Sequence, residues 1–204
     1  MSTPIRLLLA DDQALVRGAL SALLSMESDL EIVAEVGSGD AVVAAVKEHR
    51  PDVALLDVEM PGLDGIAATE LVRAAAPDTR VLIVTTFGRP GYLRRALQAG
   101  ASGFVVKDTP ASQLADAVRR VHAGLRVVDP GLAADTLVAG DSPLSPRETE
   151  VLQAARDGAR VTVIAGRVHL SEGTVRNHLS SAIGKTGAAN RAEAVRAAEA
   201  NGWL

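Results

Sequence analysis

The stretch Leu56-Asp57-Val58-Glu59-Met60-Pro61-Gly62-Leu63-Asp64-Gly65 decides the fold of the first half of this 204-residue chain. An apolar run, Val53–Val58, ends around an acid and gives way to a proline-glycine turn, after which Ile66 and Leu71 resume at helical spacing. A strand that carries a carboxylate to its end and runs into a helix is one unit of a parallel sheet with helical crossovers. The unit recurs on both sides. Ile5–Ala10, Glu31–Val36, Val81–Thr85 and Gly103–Val106 predict four more strands, each too short and too rich in Val, Ile or Leu to read as a buried helix. Helix faces are marked by Leu15, Ala19, Ala22, Leu23 and Met26, then by Ala41, Val42, Ala45 and Val46. Leu93, Ala96 and Leu97 mark another, and Leu114, Val118 and Val121 the last. Five strands alternating with five helices predict a doubly wound parallel sheet, an α/β domain over residues 1–122. Its ligand crevice lies at the carboxyl ends of the central strands.

Three acids fall at those ends: Asp11 and Asp12 after the first strand and Asp57 at the third. The two strands are neighbours in a doubly wound sheet, so the carboxylates converge, which is costly without a compensating cation. Oxygen donors without sulfur or imidazole suit Mg²⁺, and a carboxylate can itself accept a phosphoryl group. The chain has no cysteine, and its four histidines are too scattered for a metal site, so any metal is held by oxygen. Thr85 and Lys107, ending the fourth and fifth strands, add a hydroxyl and a fixed cation suited to phosphoryl oxygens. Singly, the acids could be helix caps, Thr85 could merely pack and Lys107 could be a solvated lysine. Their joint occurrence at strand ends favours a site.

Asp11-Asp12, the stretch from Leu56 to Gly65, Thr85 and Phe104-Val105-Val106-Lys107 together resemble the receiver domain of bacterial response regulators, a flavodoxin-like (βα)5 fold. The resemblance implies a sensor histidine kinase that phosphorylates Asp57, and Mg²⁺ held by Asp11, Asp12, Asp57 and the backbone carbonyl of Glu59. It further implies that Lys107 contacts the phosphoryl oxygens, while Thr85 and Phe104 form a switch in which the hydroxyl moves toward the phosphoryl group and the ring turns inward. Thr86 is bulkier than the residue often found there, and Glu59 and Phe87 flank the approach of attacking water, which bears on phosphoryl lifetime. The protein is then no enzyme beyond slow self-dephosphorylation. A phosphatase of the haloacid-dehalogenase type would want a second Asp two residues after the nucleophile, where Glu59 stands. A regulator that binds DNA without phosphorylation is the other alternative.

Residues 123–143 hold several Asp, Pro and Gly with an amphipathic piece around Leu132–Val138, and read as a linker bearing a short helix. The pattern over 144–204 is helical only. Ser145-Pro146-Arg147-Glu148 carries capping-box chemistry, and further helices are predicted at Val161–Val168, Ser171–Lys185 and Arg191–Asn201. A turn at His169-Leu170 gives helix-turn-helix spacing. On the longer helix Val175, Leu179, Ala182 and Ile183 share one face, leaving Arg176, Asn177 and Ser180 opposite, where Arg can read guanine and Asn adenine.

The runs Leu144–Leu152, Leu170–Leu179 and Asn190–Val195 resemble the LuxR/NarL-type DNA-binding domain. That resemblance implies a third helix in the major groove of double-stranded promoter DNA, with Arg176, Asn177 and Ser180 toward bases and Thr174, Lys185 and Arg191 near phosphates. It also implies a homodimer on activation, so Ala194, Val195, Ala198 and Trp203 are either subunit contacts or core. The second helix opens on Arg160-Val161-Thr162-Val163 without a strong N-cap and with a valine to expose. Thr85–Tyr92, Gly173–Asn177 and the Gly202-Trp203 end resemble the DesR-type subgroup, which responds to membrane lipid state.

The composition, 48% hydrophobic and 23% charged, is that of packed globular protein. From Leu144 onward eight Lys or Arg face six Asp or Glu, a charge of +2 within a chain whose net charge is −4, so the rest carries −6. The two parts have partners of different charge. No apolar run reaches the roughly 18 residues of a membrane span, and no signal-peptide core follows Met1, so the protein is expected in the cytoplasm and not inserted in a membrane.

Overall fold

The computed structural model describes residues 3–86, 88–139 and 142–204. The chain divides into two compact units, the first made of residues up to Gly88 with Tyr92–Ala133, and the second chiefly of Ala134–Leu204.

In the first unit the order is β1 (Ile5–Ala10), α1 (Ala14–Leu24), β2 (Leu30–Val36), α2 (Gly39–His49), β3 (Val53–Leu56), α3 (Gly65–Ala75), β4 (Arg80–Thr85), α4 (Pro90–Gln98), β5 (Gly103–Val106), α5 (Ala111–His122) and β6 (Val127–Val128). The sheet runs β2-β1-β3-β4-β5-β6, all parallel. Alternation sends Leu8, Ala10, Ala54, Leu56, Ile83 and Phe104 to the face covered by α2, α3 and α4. Leu7, Leu9, Val53, Leu55, Val84 and Val105 point to the other face, under α1 and α5. Both faces are covered, which is why these strands read as unbroken apolar runs.

Three details differ from the sequence expectation. The third strand ends at Leu56, so Asp57 and Val58 follow it, although the Asp57 N–H still donates to Ala10 O at 2.9 Å across β1. A sixth strand stands where only linker was expected; two residues offer no alternation to detect, and Val127 and Val128 pair with Gly103 and Phe104. In α1 the inward residues are Val16, Leu20 and Leu24, whereas Leu15, Ala19, Ala22, Leu23 and Met26 are exposed. Both stripes are apolar at i, i+4 spacing, so periodicity alone had no means of choosing between them. Leu71 of α3 is likewise exposed and Val72 buried.

The linker region continues as α6 (Pro130–Ala139), whose Leu132 is buried in the same core as Phe104. The second unit then holds α7 (Pro146–Ala154), α8 (Val161–Val168), α9 (Glu172–Thr186) and α10 (Arg191–Ala200). Leu144, Val151, Leu152, Ile164, Val168, Val175, Leu179, Ala182, Ala194, Val195 and Ala198 form its core, and Trp203 packs against it. Ala194, Val195 and Ala198 are therefore packing residues of this unit.

Candidate functional site

The carboxyl ends of β1, β3, β4 and β5 build the site in the first unit. Asp11, Asp12 and Asp57 bring carboxylate oxygens within 4.8 Å of one another; Asp11 and Asp57 are buried and Asp12 is exposed. Lys107 Nζ, one residue beyond β5, donates to Asp57 Oδ2 at 2.8 Å. It also lies 2.7 Å from Asp11 Oδ2, an ion pair out of hydrogen-bond alignment, which leaves that oxygen without an aligned donor. Burial raises the Asp57 carboxyl above its ordinary value and Asp11 adds to this, against the opposing pull of Lys107. Burial works the other way on Lys107, but the two carboxylates outweigh it and hold the ammonium above the usual lysine value.

One lysine against three carboxylates leaves a negative crevice whose donors are all oxygen. That donor set fits Mg²⁺, which takes one or two carboxylates and keeps waters. Thr85 Oγ1 is buried without a hydrogen-bond partner among the described residues, a polar atom suited to a ligand oxygen. Phe104, fully buried on β5 opposite Ile83, has its ring in the core. Glu59 is exposed, and its Oε1 accepts from the Tyr92 hydroxyl at 3.3 Å. Phe87 lies outside the described residues.

The loop after Asp57 is shaped by glycine. Gly62 has φ +76, and a Cβ on Gly65 would fall 1.9 Å from the Asp57 carbonyl oxygen, so α3 starts this close to the acid only without a side chain there. Asp64 caps α3, accepting from the Ala67 N–H at 2.7 Å.

In the second unit α8, the turn at His169 and Leu170, and α9 form the helix-turn-helix. His169 takes φ +53 to close α8, and Ser171 caps α9 by accepting from the Thr174 N–H at 3.1 Å. Val175, Leu179 and Ala182 are buried beneath α9, while Arg176, Asn177 and Ser180 are exposed together. Thr174 is half-buried, its hydroxyl 2.8 Å from Ser171 Oγ. Arg176 Nη2 donates to Glu172 Oε2 at 2.6 Å. No side chain caps α8 at Arg160, and Val163 is exposed, as its sequence indicates.

Lys185 and Arg191 stand on protein acceptors. Lys185 Nζ donates to Glu148 Oε2 at 2.8 Å, and Arg191 donates to the carbonyls of Ala159 at 2.6 Å and Gly158 at 3.0 Å. Glu148 was legible as the glutamate of a capping box at the third helical position, which it is. Its second task was not legible. The buried carboxylate also accepts from Ser181 Oγ at 2.6 Å and so ties α9 to the start of α7. Partners 33 and 37 residues away leave no local signature.

An oxygen-lined acidic crevice with a bridging lysine, on a doubly wound sheet and followed by a helix-turn-helix unit, is the arrangement of a receiver-type domain joined to a DNA-binding type of unit. Residues 7–119 match the response regulator receiver domain family, and residues 142–198 match the bacterial regulatory proteins, luxR family. The chain is 40% identical over 200 residues to the transcriptional regulatory protein DesR of Bacillus subtilis (strain 168), covering 98% of this chain and 99% of that one. It is 38% identical to the response regulator RamR of Streptomyces coelicolor over the whole of both chains. The crystal structure of the response regulator ChrA, of a heme-sensing two-component system, superposes with a TM-score of 0.61 at 36% identity, covering 97% of each chain. An RcsB–DNA complex shares the fold with a TM-score of 0.72 at 24% identity, covering 97% of this chain and 99% of that one. The chain thus belongs to the two-component response regulators with a LuxR-type DNA-binding domain. These relatives are regulators of transcription rather than enzymes. No described helix is long and apolar enough to cross a membrane.

Proposed function

We propose that Asp57 accepts a phosphoryl group from a sensor histidine kinase and that the modified chain dimerises and binds promoter DNA. The observation that carries this reading is the Lys107 ammonium, 2.8 Å from Asp57 and 2.7 Å from Asp11 in a crevice of three carboxylates. Asp57 Oδ attacks phosphorus, the bond to the kinase histidine nitrogen breaks, and an acyl phosphate results. Asp11, Asp12 and Asp57 with the Glu59 carbonyl would hold Mg²⁺, which offsets phosphoryl charge. Lys107 shifts from the bare carboxylate to a phosphoryl oxygen, and the unpartnered Thr85 hydroxyl donates to another. Movement of Thr85 is transmitted across the same sheet face to Phe104, which lies on β5 two residues before Val106, the partner of Thr85, and so to the core that holds Leu132.

At the DNA, Arg176, Asn177 and Ser180 meet base edges, with Thr174 near a phosphate. The bonds Lys185 and Arg191 make to Glu148 and to the α7–α8 loop limit their use as phosphate contacts to whatever donors remain. Kinase and DNA meet the protein in the cytoplasm.

The test is the molar mass in solution with Mg²⁺, with and without beryllium fluoride, for the native chain and Asp57→Ala. A shift from monomer to dimer in the native chain alone is the expected result. No shift in either overturns the switch and favours a regulator that binds DNA without phosphorylation.

A further inference from the structure

The carboxylate of Glu172, in the first turn of α9, uses its two oxygens on the two helices of the helix-turn-helix. Oε1 accepts from the Thr162 hydroxyl of α8 at 2.9 Å, and Oε2 accepts from Arg176 Nη2 at 2.6 Å. The Arg176 and Glu172 side chains are 62% and 42% exposed. An exposed i, i+4 pair adds little to folding stability. Its consequence lies in what it does to the charge and direction of Arg176. A guanidinium has five N–H donors, so giving one to Glu172 leaves enough for a bidentate contact with guanine O6 and N7. The charge that would draw Arg176 to any phosphate is meanwhile offset by an anion in contact with it. Attraction to phosphate carries no sequence information, whereas the guanine contact does.

We propose that Glu172 is a specificity-determining residue of the DNA-binding unit. It holds Arg176 aimed and charge-compensated, so that the arginine gains little from a phosphate backbone and much from a guanine edge. This rests on the assignment of α9 as the helix that reads DNA. The bond to Thr162 fixes the carboxylate itself against α8, which has no side-chain cap of its own.

The experiment begins with duplexes selected by the full-length native chain from a random-sequence pool. Affinities for a selected duplex and for a scrambled duplex of the same composition are then measured across a range of KCl for the native chain, Glu172→Gln, Thr162→Val, Arg176→Ala and the double variant Glu172→Gln/Arg176→Ala. Emission of the single tryptophan, Trp203, checks that each variant keeps its fold. Glu172→Gln is expected to bind the scrambled duplex more tightly, with log K falling more steeply on log [KCl] by about 0.9, one further phosphate neutralised. Its preference for the selected duplex should fall about tenfold, the scale of one degraded bidentate contact. The double variant should match Arg176→Ala, since the effect acts through the arginine. Equal weakening on both duplexes with an unchanged salt slope would mean a structural role only and overturn the proposal. Thr162→Val, which frees the carboxylate from α8 but leaves its charge, should lose part of the preference for the selected duplex at the native salt slope; a slope as steep as that of Glu172→Gln would overturn the charge compensation. A native chain that enriches no sequence overturns the assignment of α9 itself, and this proposal with it.

Discussion

Burial works against ionisation of Glu148, yet bonds from Lys185, Ser181 and Ser145 outweigh it and hold the carboxyl down at about 2, against an ordinary 4.5. A carboxyl depressed in the folded state contributes stability that is fully present above its unfolded value and is lost as pH falls through the folded one. The window is therefore pH 4.5 down to about 2. A shift of this size corresponds to about 3 kcal/mol. Urea unfolding of the full chain, followed by Trp203 emission, should show a midpoint that falls steeply across that window. In Glu148→Gln the midpoint should start lower at neutral pH and change less; equal pH dependence in both chains would remove Glu148 as its source. The capping box around this residue was readable because its partners lie within one turn, Ser145 to Glu148. The link from Glu148 to Lys185 was not, because it exists only once α7 and α9 have packed. For the same reason the sequence displays Lys185 and Arg191 only as cations, and not that Lys185 gives one hydrogen bond to Glu148 and Arg191 two to backbone carbonyls. In the acidic crevice every charged group sits at or just past a strand end, so a one-dimensional pattern already placed Asp11, Asp57 and Lys107 together.

Helix starts show how far local chemistry goes. α7, α9 and α10 open on Ser145, Ser171 and Asn190, each accepting from a backbone N–H three residues on. α8 opens on Arg160 with extended backbone, φ −66 and ψ 152, the geometry of a cap without the side chain to make one. Serine at that position can supply the missing acceptor. Arg160→Ser is expected to stabilise the second unit by about 1 kcal/mol, read as a higher urea midpoint of Trp203 emission with an unchanged slope. A lower midpoint would mean that the exposed Arg160 side chain stabilises the unit in its own right. The bounds of α8 were nevertheless legible, because Ile164, Ala165 and Val168 form a single apolar stripe. α1 has two such stripes, and only packing against the sheet decides that the one with Leu20 and Leu24 turns inward. β6 exists only as an addition to the edge of β5, so no property of Val127-Val128 alone could announce it.

Across the whole molecule, charge and chemistry are divided between two units. The acids proposed to meet a phosphoryl group lie in the part of the chain with excess negative charge, and the segment from Leu144 onward, which carries the helix proposed to read DNA, has a charge of +2. No residue of the acidic crevice belongs to the helix-turn-helix, and none of Arg176, Asn177 or Ser180 lies in the first unit. Under the proposed function, coupling between the two sites is a matter of shifted populations rather than of shared groups. Asp57→Ala is accordingly expected to take up no phosphoryl group from acetyl phosphate with Mg²⁺, while retaining weak salt-sensitive binding to unselected DNA, because the charge of the second unit is unaltered. Arg176→Ala should take up the phosphoryl group at the native rate and lose about tenfold or more in affinity for a selected duplex. In the double variant the two losses should appear side by side, neither deepening the other beyond the effect of Asp57→Ala on dimer formation. Phosphoryl uptake that falls in Arg176→Ala as far as in Asp57→Ala would contradict the division. It would require the reading helix to contribute directly to the chemistry of the crevice.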